Sequence, residues 1–465
     1  MTKTEKAVES LMDKIVTLSR SRGFVFPGSD IYGGLQNSWD YGPLGVALMR
    51  NIRESWWRFF VDTRPDMVGL ESTVISNPRI WEASGHVENF TDPLVEDKIT
   101  HIRYRADHLL EDNGINPSEM SLNEMAEAIK TKGIKSPAGN ELTEPRKFNL
   151  LFKTYIGATE DDKSVAYLRG ELAQGMFVDF PEILRSTRKR LPFGIAQAGK
   201  AFRNEITTGN FIFRLKEFNL MEFEYFVKPG EWEKYFDFWL GEMKKWMASL
   251  GIKESDLRFR EVPEGERAHY SKRTIDVEYN FPFGVKELQA IAYRSDFDLR
   301  NHAEKSGADM NYTDPKTGEK FIPHVIEPTF GLDRAILAVI CAAYAEEEIK
   351  TASAETETRT VLRFPKNLAP FKVAVLPLSA KEELAGIALK IAADLRRLFT
   401  TDYDETQSIG KRYRRQDEIG TPYCITVDFE TLNDQAVTVR DRDTMKQDRI
   451  AISDLPGYLE EKFKT

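Results

Sequence analysis

The stretch from Phe202 to Phe226 commits this chain to a sheet. It reads Phe202-Arg203-Asn204-Glu205-Ile206-Thr207-Thr208-Gly209-Asn210-Phe211-Ile212-Phe213-Arg214 and runs on through Phe218, two alternating strands joined by a polar loop with an arginine near each end. Residues two apart on a strand share a face, so Arg203 and Glu205 are expected to look one way, and Phe218, Leu220 and Glu222 to look together from the returning strand. A cation, a carboxylate and a ring on one sheet surface suit a nucleotide: guanidinium for phosphate, carboxylate for an exocyclic amine, ring for a base. A plain hairpin with a charged outer face is the alternative.

A second segment, His324-Val325-Ile326-Glu327-Pro328-Thr329-Phe330-Gly331-Leu332-Asp333-Arg334, leads into Ala335 to Cys341, a run apolar on every side and so a buried helix. A strand is expected to end at the Glu327-Pro328 step, with Arg334 in the first turn of the helix. The macrodipole disfavours a cation there and welcomes an anion. Such a locally costly placement is more often functional than accidental. The plainer alternative is an arginine that caps Asp333 or Glu327.

At 465 residues the chain exceeds one compact core and predicts two or three domains. With 41% hydrophobic and 30% charged residues it reads as soluble and globular, and no apolar run approaches the roughly 20 residues of a membrane span. An N-terminal amphipathic helix is expected, with Val8, Leu11, Ile15 and Leu18 on one face and Gly23 ending it, unlike a secretory signal. Two cysteines, Cys341 in the apolar run and Cys424 in a predicted strand, argue against a disulfide framework and point to the cytoplasm. The net charge of −9 argues against indiscriminate nucleic-acid binding, so any RNA surface has to be a patch. Lys411-Arg412-Tyr413-Arg414-Arg415 is the candidate, four cations around a ring able to stack on a base. A solvated basic turn balanced by Asp417 and Glu418 is its alternative.

Pro43, Leu44, Ala47, Leu48, Ile52, Trp56, Phe59 and Phe60 form a helical ladder that starts with proline in the first turn, and a strand reaching Pro78 follows. A polar segment, about 85–163, with a helix around Leu122 to Lys130, reads as an insertion. Residues 346–365 read as a linker. Beyond it, a strand from Phe371 to Leu376, a helix from Lys381 to Leu398 and strands from Tyr423 to Phe429 and Ala436 to Arg440 read as a βαβ unit. The expected division is 1–345, the linker, and 366–465.

The phrase Phe202-Arg203-Asn204-Glu205 with its loop resembles motif 2 of class II aminoacyl-tRNA synthetases, and Gly331-Leu332-Asp333-Arg334 resembles motif 3. Trp39-Asp40-Tyr41-Gly42-Pro43-Leu44-Gly45, Ala83-Ser84-Gly85-His86, Arg105-Ala106-Asp107-His108-Leu109, Leu142-Thr143-Glu144-Pro145-Arg146 and Leu191-Pro192-Phe193-Gly194-Ile195-Ala196-Gln197 extend the likeness over nearly the whole chain. In this order they resemble the homodimeric glycyl-tRNA synthetases. The resemblance implies an α+β catalytic core on a mixed, mainly antiparallel sheet, an insertion flanking the acceptor end of tRNA, and a C-terminal α/β anticodon-binding domain. It also implies a homodimer formed through the 43–78 segment, and a glycine–tRNA ligase that makes glycyl-adenylate from ATP and passes glycine to the 3′ end of tRNA(Gly).

By the same resemblance, Arg203 would hold the α-phosphate and Arg214 and Arg334 the outer phosphates, Phe218 would stack on adenine and Glu205 would read its amine; Arg203, Glu205 and Arg334 are the catalytic candidates. Asn204, Phe213, Leu215, Lys216, Glu217, Leu288, Gly331, Leu332 and Asp333 would complete the ATP site. Glu287 would help place Mg²⁺, a bare surface carboxylate being its alternative. Glycine offers no side chain to grip and a methylene is worth only about 1–3 kcal/mol, so its selection needs a tight wall and ammonium-binding carboxylates. Glu171, Glu222 and Glu327 match those carboxylates, Thr329 a hydroxyl that contacts glycine, and Arg105 a substrate-associated position. Asn219, Leu220, Met221, Pro328 and Phe330 would line the same pocket with Phe218 and Gly331. Cysteines that some relatives carry ahead of the Arg105 phrase are missing, so no zinc is expected.

The sequence departs from the family wording at Gly170 and Leu172, where proline and threonine are usual, at Asn219, where glutamate is common, at Thr329, which stands for serine, and at Gln289-Ala290, which replaces Glu-Gly. The lost acidic groups at 219 and 289 bear on ammonium binding. Two further readings stay open: a catalytically silent relative serving as a nucleic-acid-binding subunit, and a class II ligase for another small amino acid. A silent relative has no reason to keep Arg203, Glu205, Arg214, Phe218, Glu327 and Arg334 together.

Overall fold

The computed structural model describes residues 10–464 except 118–119, 162, 207–208 and 351–355. Helix α1 (Leu11–Arg22) begins with a Ser10/Asp13 capping box and stops at Gly23, whose φ of 78° suits only a residue without Cβ. Its buried face carries Ile15 and Leu18, while Leu11 is exposed, contrary to the expected stripe; Val8 lies outside the described residues. Helix α2 (Pro43–Trp57) buries Leu44, Leu48, Ile52 and Trp56, and a π turn at Arg58–Asp62 carries the same ladder on to Phe60.

The core is a seven-stranded sheet of β1 (Met67–Gly69), β2 (Phe193–Phe202), β3 (Glu217–Val227), β4 (Leu257–Glu261), β5 (Arg273–Phe281), β6 (Gly284–Ser295) and β7 (His324–Gly331). Their spatial order is β4-β5-β6-β7-β3-β2-β1, with only the β2–β1 pair parallel. One face is covered by α2, by α3 (Trp232–Ser249) and, past α4 (Phe297–Ser306) in sequence, by α5 (Leu332–Ala343). Between them lies an aromatic cluster in which Phe60 sits 5.0 Å from Phe330, 5.6 Å from Phe223 and 5.7 Å from Trp56. Each such ring buries enough apolar area to stabilise the fold by about 1.5–3 kcal/mol. The other face carries the site and, beside it, a second core in which helices Ala173–Val178 and Phe180–Thr187 and α4 pack on Phe193, Ile195 and Phe226.

The β7 strand does not stop at Glu327-Pro328 but continues to Gly331 in the middle of the sheet. The β3–β7 register is constant, yet pairing skips the two residues on each strand around Pro328, which lacks the N–H that a full ladder needs. Pro328 is therefore a local gap rather than an end.

The insertion carries a sheet of Thr91–Glu96, Arg103–Arg105 and Arg146–Asn149 with helices Ala106–Asp112 and Leu122–Lys132 around their own small core of Val95, Leu110, Met125 and Ile129. Residues 346–365 are not a plain linker. Strands β8 (Tyr344–Lys350) and β9 (Thr356–Leu362) pair antiparallel, and the charges that suggested solvation oppose one another: Glu347 lies across from Arg359 at 3.1 Å. Arg359 is buried and also donates to Asp417 (2.8 Å).

The C-terminal sheet holds β10 (Val373–Pro377), β11 (Thr401–Tyr403), β12 (Tyr423–Val427), β13 (Ala436–Asp441) and β14 (Gln447–Ala451) in the order β11-β10-β12-β13-β14, the first three parallel, with α6 (Glu382–Leu395) as a crossover, then α7 (Ile409–Ile419) and α8 (Leu455–Lys464). The basic run lies on α7 and is not a stacking patch. Arg412 is buried and donates to the carbonyls of Pro377, Asp404 and Gln407. Tyr413 donates to or accepts from Thr426 at 2.5 Å, Arg415 is held by Asp404, and Arg414 pairs with Glu357 of β9. Helical spacing turned half of the run inward, where strand ends offered carbonyls. Arg412→Ala should therefore destabilise the protein by about 2–3 kcal/mol in denaturant titration.

Candidate active site

The chain leaves β2 at Phe202, so Arg203 and Glu205 stand in the loop rather than on the strand, yet both line one cavity with Phe213, Phe218, Glu287 and Arg334. Arg203 keeps one more ladder bond, N–H to the Lys216 carbonyl at 2.9 Å, and its Nε donates to the Gly170 carbonyl at 3.0 Å. Its guanidinium lies 5.1 Å from the Phe90 ring and 5.3 Å from that of Phe218. Among the described residues its two terminal nitrogens make no hydrogen bond to protein. A Cβ at Gly170 would stand 3.2 Å from Phe90, so the glycine there keeps this aromatic bracket close.

Arg334 caps neither Asp333 nor Glu327. Its guanidinium lies 4.5 Å from the Phe213 ring, and Nη1 reaches the Glu287 carbonyl (3.0 Å) and carboxylate (3.2 Å). Glu287 comes within reach because the β5–β6 pairing slips at Leu288, between Val277↔Gln289 and Glu278↔Glu287. Gln289 is buried and lines the cavity, with no hydrogen-bond partner for its amide among the described residues.

Asp333 is buried and works as a brace: Tyr41 Oη donates to it at 2.5 Å, and Asn219 donates through its backbone N (2.6 Å) and Nδ2 (3.0 Å). A glutamate at 219 would set a carboxylate against Asp333, so asparagine there is consistent with the pocket. Strand alternation sends other expected residues away. Met221, Pro328 and Phe330 lie on the opposite sheet face, Met221 and Phe330 in the aromatic core with Leu332, because Phe218, Leu220, Glu222 and Thr329 take the site face. Glu217 is paired with Lys200, and with Lys216 it lines a separate groove beside Trp39 and Phe202. Asn204 uses its N–H on the Leu150 carbonyl (2.8 Å). Leu215, Leu288 and Gly331 line the cavity. Arg214 also lines it, and its charge is felt at Asp92 and His108 of the insertion. Arg105 is outside the cavity lining, ion-paired to Asp92 (3.0 Å) and Asp107. Burial pushes the Asp92 carboxyl up to about 6, with Arg105 opposing.

Beside the cavity, on the same sheet face, lies a buried charged cluster. Its upper row across β2, β3, β7 and β6 is Gln197, Glu222, Thr329 and Ala290, and the row below is Ile195, Glu224, Glu327 and Ala292. Thr329 Oγ1 donates to Glu222 (2.8 Å), whose other oxygen accepts the Leu172 N–H (3.0 Å). Sequence reasoning missed the centre of this cluster, Arg294. Fully buried, it donates to Glu327 (2.9 Å), twice to Asp298 (2.8 and 2.9 Å), and reaches Glu171 at 3.5 Å, while its guanidinium lies 3.6 Å from the Tyr270 ring. Glu171 also meets His86 Nε2 (3.2 Å) and Gln174 (2.9 Å). Burial works to raise the Glu171 carboxyl, but His86 and Arg294 hold it well below the usual range. Burial raises Glu222 and Glu327, Glu327 against the pull of Arg294. One signal for Arg294 was available: a cation near the end of β6, just after apolar Ile291, Ala292 and Tyr293, with Asp298 four residues on.

With this geometry in view, residues 155–343 match the model of the tRNA synthetase class II core domain (G, H, P, S and T), and residues 372–462 that of the anticodon binding domain. A glycine–tRNA ligase of Caldanaerobacter subterraneus subsp. tengcongensis is 54% identical, covering 98% of this chain and 99% of the relative, and one of Staphylococcus aureus (strain JH9) is 52% identical over 97% and 99%. The chain belongs to the glycine–tRNA ligases. The solved prolyl-tRNA synthetase of Cryptosporidium parvum, complexed with halofuginone and AMPPNP, has a TM-score of 0.65 at 16% identity, covering 99% of this chain and 78% of that one. That likeness shows the fold: a class II synthetase core followed by an anticodon-binding domain. In this ligase the buried arginine is the group on which the charged cluster depends. Arg294→Ala should lower unfolding free energy by about 3–5 kcal/mol at pH 8. Its orphaned carboxylates would take up protons with raised folded-state pKa values, so the deficit should shrink as denaturant titrations are moved to pH 5.

Proposed function

We propose that this chain activates glycine with ATP in two adjoining pockets on one sheet face and then charges tRNA(Gly). The carrying observation is the adjacency itself: a cavity of arginines and aromatic rings beside a buried acidic cluster, with Glu222 and Thr329 at their border. Class II ligases of this family use ATP. In the first step a glycine carboxylate oxygen attacks the α-phosphorus and pyrophosphate leaves. In the second a terminal tRNA hydroxyl attacks the adenylate carbonyl and AMP leaves. Neither step needs a protein nucleophile, so the residues contribute positioning and charge neutralisation.

In this reading Arg203, pinned at Nε and by two rings, offers its terminal nitrogens to the α-phosphate. Arg334 and Arg214 take the outer phosphates, Phe218 the adenine face and Glu205 the adenine amine. Glu287 supplies the hard oxygen that Mg²⁺ favours alongside phosphate oxygens, the ion neutralising phosphate charge when bound. The insertion, which contains neither cysteine, is assigned no zinc. Glu222, Glu327 and Glu171 receive the glycine ammonium, and Thr329 orients Glu222. The compartment assigned is the cytoplasm; among the described residues no helix is long and apolar enough to cross a membrane. Arg203→Ala should reduce glycine-dependent ATP–pyrophosphate exchange by roughly 10²–10³-fold with an unchanged melting temperature. Exchange at the parent rate, or equal exchange with alanine or serine in place of glycine, would remove the assignment.

A homodimer is also proposed, across the surface beside α2. Ile31, Tyr32, Leu35 and Val46 are exposed there, Ile31 at 88% and Tyr32 at 87%, an apolar patch that a second copy would cover. Tyr32→Asp combined with Leu35→Asp should shift sedimentation velocity toward monomer, whereas an unshifted dimer would place the contact elsewhere.

A further inference from the structure

Glu224 has no task in the scheme above, and it is the strangest side chain in the site. It sits one strand repeat below Glu222 on β3, so alternation gives both the same face, and it is 0% exposed. Among the described residues, neither carboxylate oxygen has a hydrogen-bond partner. Its neighbours in the row are apolar Ile195 on β2 and, beyond Glu327, small Ala292 on β6. A core that needed only volume here would be served at lower cost by a leucine.

The charges around it do not balance. Glu171, Glu222, Glu224, Glu327 and Asp298 are all buried, against the guanidinium of Arg294, the imidazole of His86 and, on the Glu222 side, the buried guanidinium of Arg169. Asp298 and Glu171 are matched by Arg294, Gln174 and His86. That leaves Glu222, Glu224 and Glu327 with too little positive charge, Glu327 sharing Arg294 with the other two acids. One oxygen from each of these three lies within 4.8 Å of the others. A point can then be found within about 2.8 Å of all three, the length of a charge-assisted N–H···O bond, and an α-ammonium has three N–H groups to place.

We propose that Glu224 joins Glu171, Glu222 and Glu327 as a fourth carboxylate around the glycine ammonium, and that a proton leaves the Glu222–Glu224–Glu327 group for solvent as the ammonium enters. This rests on the assignment of that ammonium to Glu222 and Glu327. The groups facing Glu224 support the proton: Glu327 from β7, Glu222 from its own strand and Asp298 from α4 oppose its charge, Arg294 from β6 favours it, and burial outweighs them all, holding the carboxyl well above the usual range. Without glycine the cluster thus stores the acid in its neutral form, and the entering cation exchanges for the proton.

The test compares Glu224→Gln, Glu222→Gln and Glu327→Gln in the full-length enzyme by pyrophosphate exchange, and titrates glycine into the parent by calorimetry in two buffers of different protonation enthalpy. Glu224→Gln should raise the glycine KM about tenfold and leave the ATP KM within twofold. The parent should release close to one proton per glycine between pH 6 and 8, and its glycine KM should climb as pH falls, a slope that Glu224→Gln flattens. If Glu222→Gln and Glu327→Gln raise the glycine KM and Glu224→Gln does not, this inference fails alone. If none of the three does, the ammonium assignment fails with it. Should Glu224→Gln not fold, the proton count of the parent still decides, because glycine binding without proton release overturns the exchange.

Discussion

Arg294 is the interaction on which the site depends. Its guanidinium draws in Asp298 from the following helix, Glu327 from the neighbouring strand and Glu171 from a segment more than a hundred residues earlier, and it is stacked near Tyr270. Dehydrating so many ions is costly, and a hydrophobic cluster of the same volume would stabilise the fold as well or better. What the ionic version provides is a fixed set of carboxylates gathered around one guanidinium. Thr329 and the Leu172 N–H do the same for Glu222, fixing both of its oxygens. A substrate with nothing beyond Cα can be recognised only by such fixed groups, since its contacts are confined to its two charged ends.

Much of the architecture was legible because it follows from local periodicity. The motif hairpin, the all-apolar helix and the proline-led ladder of α2 each carry their period in the chain, and the family phrases fixed which side of the hairpin would matter. Three of the misreadings involve charge that only the folded sheet explains. Glu346 to Thr360 is charged because two strands answer one another across a ladder. Arg412 is charged and buried because three strand-end and loop carbonyls converge on it, which only the folded sheet reveals. Arg294 escaped for the same reason, since no local pattern tells that a single arginine after an apolar strand will meet carboxylates from three segments. Within the site, whole motif phrases promised more than alternation could deliver: Met221, Pro328 and Phe330 share their phrases with Glu222, Glu327 and Thr329 but belong to the opposite sheet face.

The two pockets are held in register by parts that touch neither substrate in the proposed scheme. Asp333, next to Arg334 in the chain, is clamped by Tyr41 and by Asn219, so the start of α5 is tied to the 39–45 segment and to β3. The asparagine at 219, which looked like a loss of acidity near the ammonium, is turned away from it. The glycine at 170 similarly exchanges a side chain for a close aromatic face and a carbonyl that anchors Arg203.

The α5 helix, which carries Arg334 in its first turn, ends at Ala343, and β8 starts at the next residue. Its partner β9 is riveted to α7 by the Arg359–Asp417 pair, and Asp417 is bound in turn by Arg440 of β13. There is no slack along this line. A load applied to the C-terminal sheet by a long, stiff RNA would be delivered as torque to the root of a catalytic helix, with the hairpin as the drive shaft. Exchanging C-terminal domains between relatives would consequently transplant a mechanical alignment as well as a binding surface, and a graft cut at residue 366 would leave half of that shaft behind.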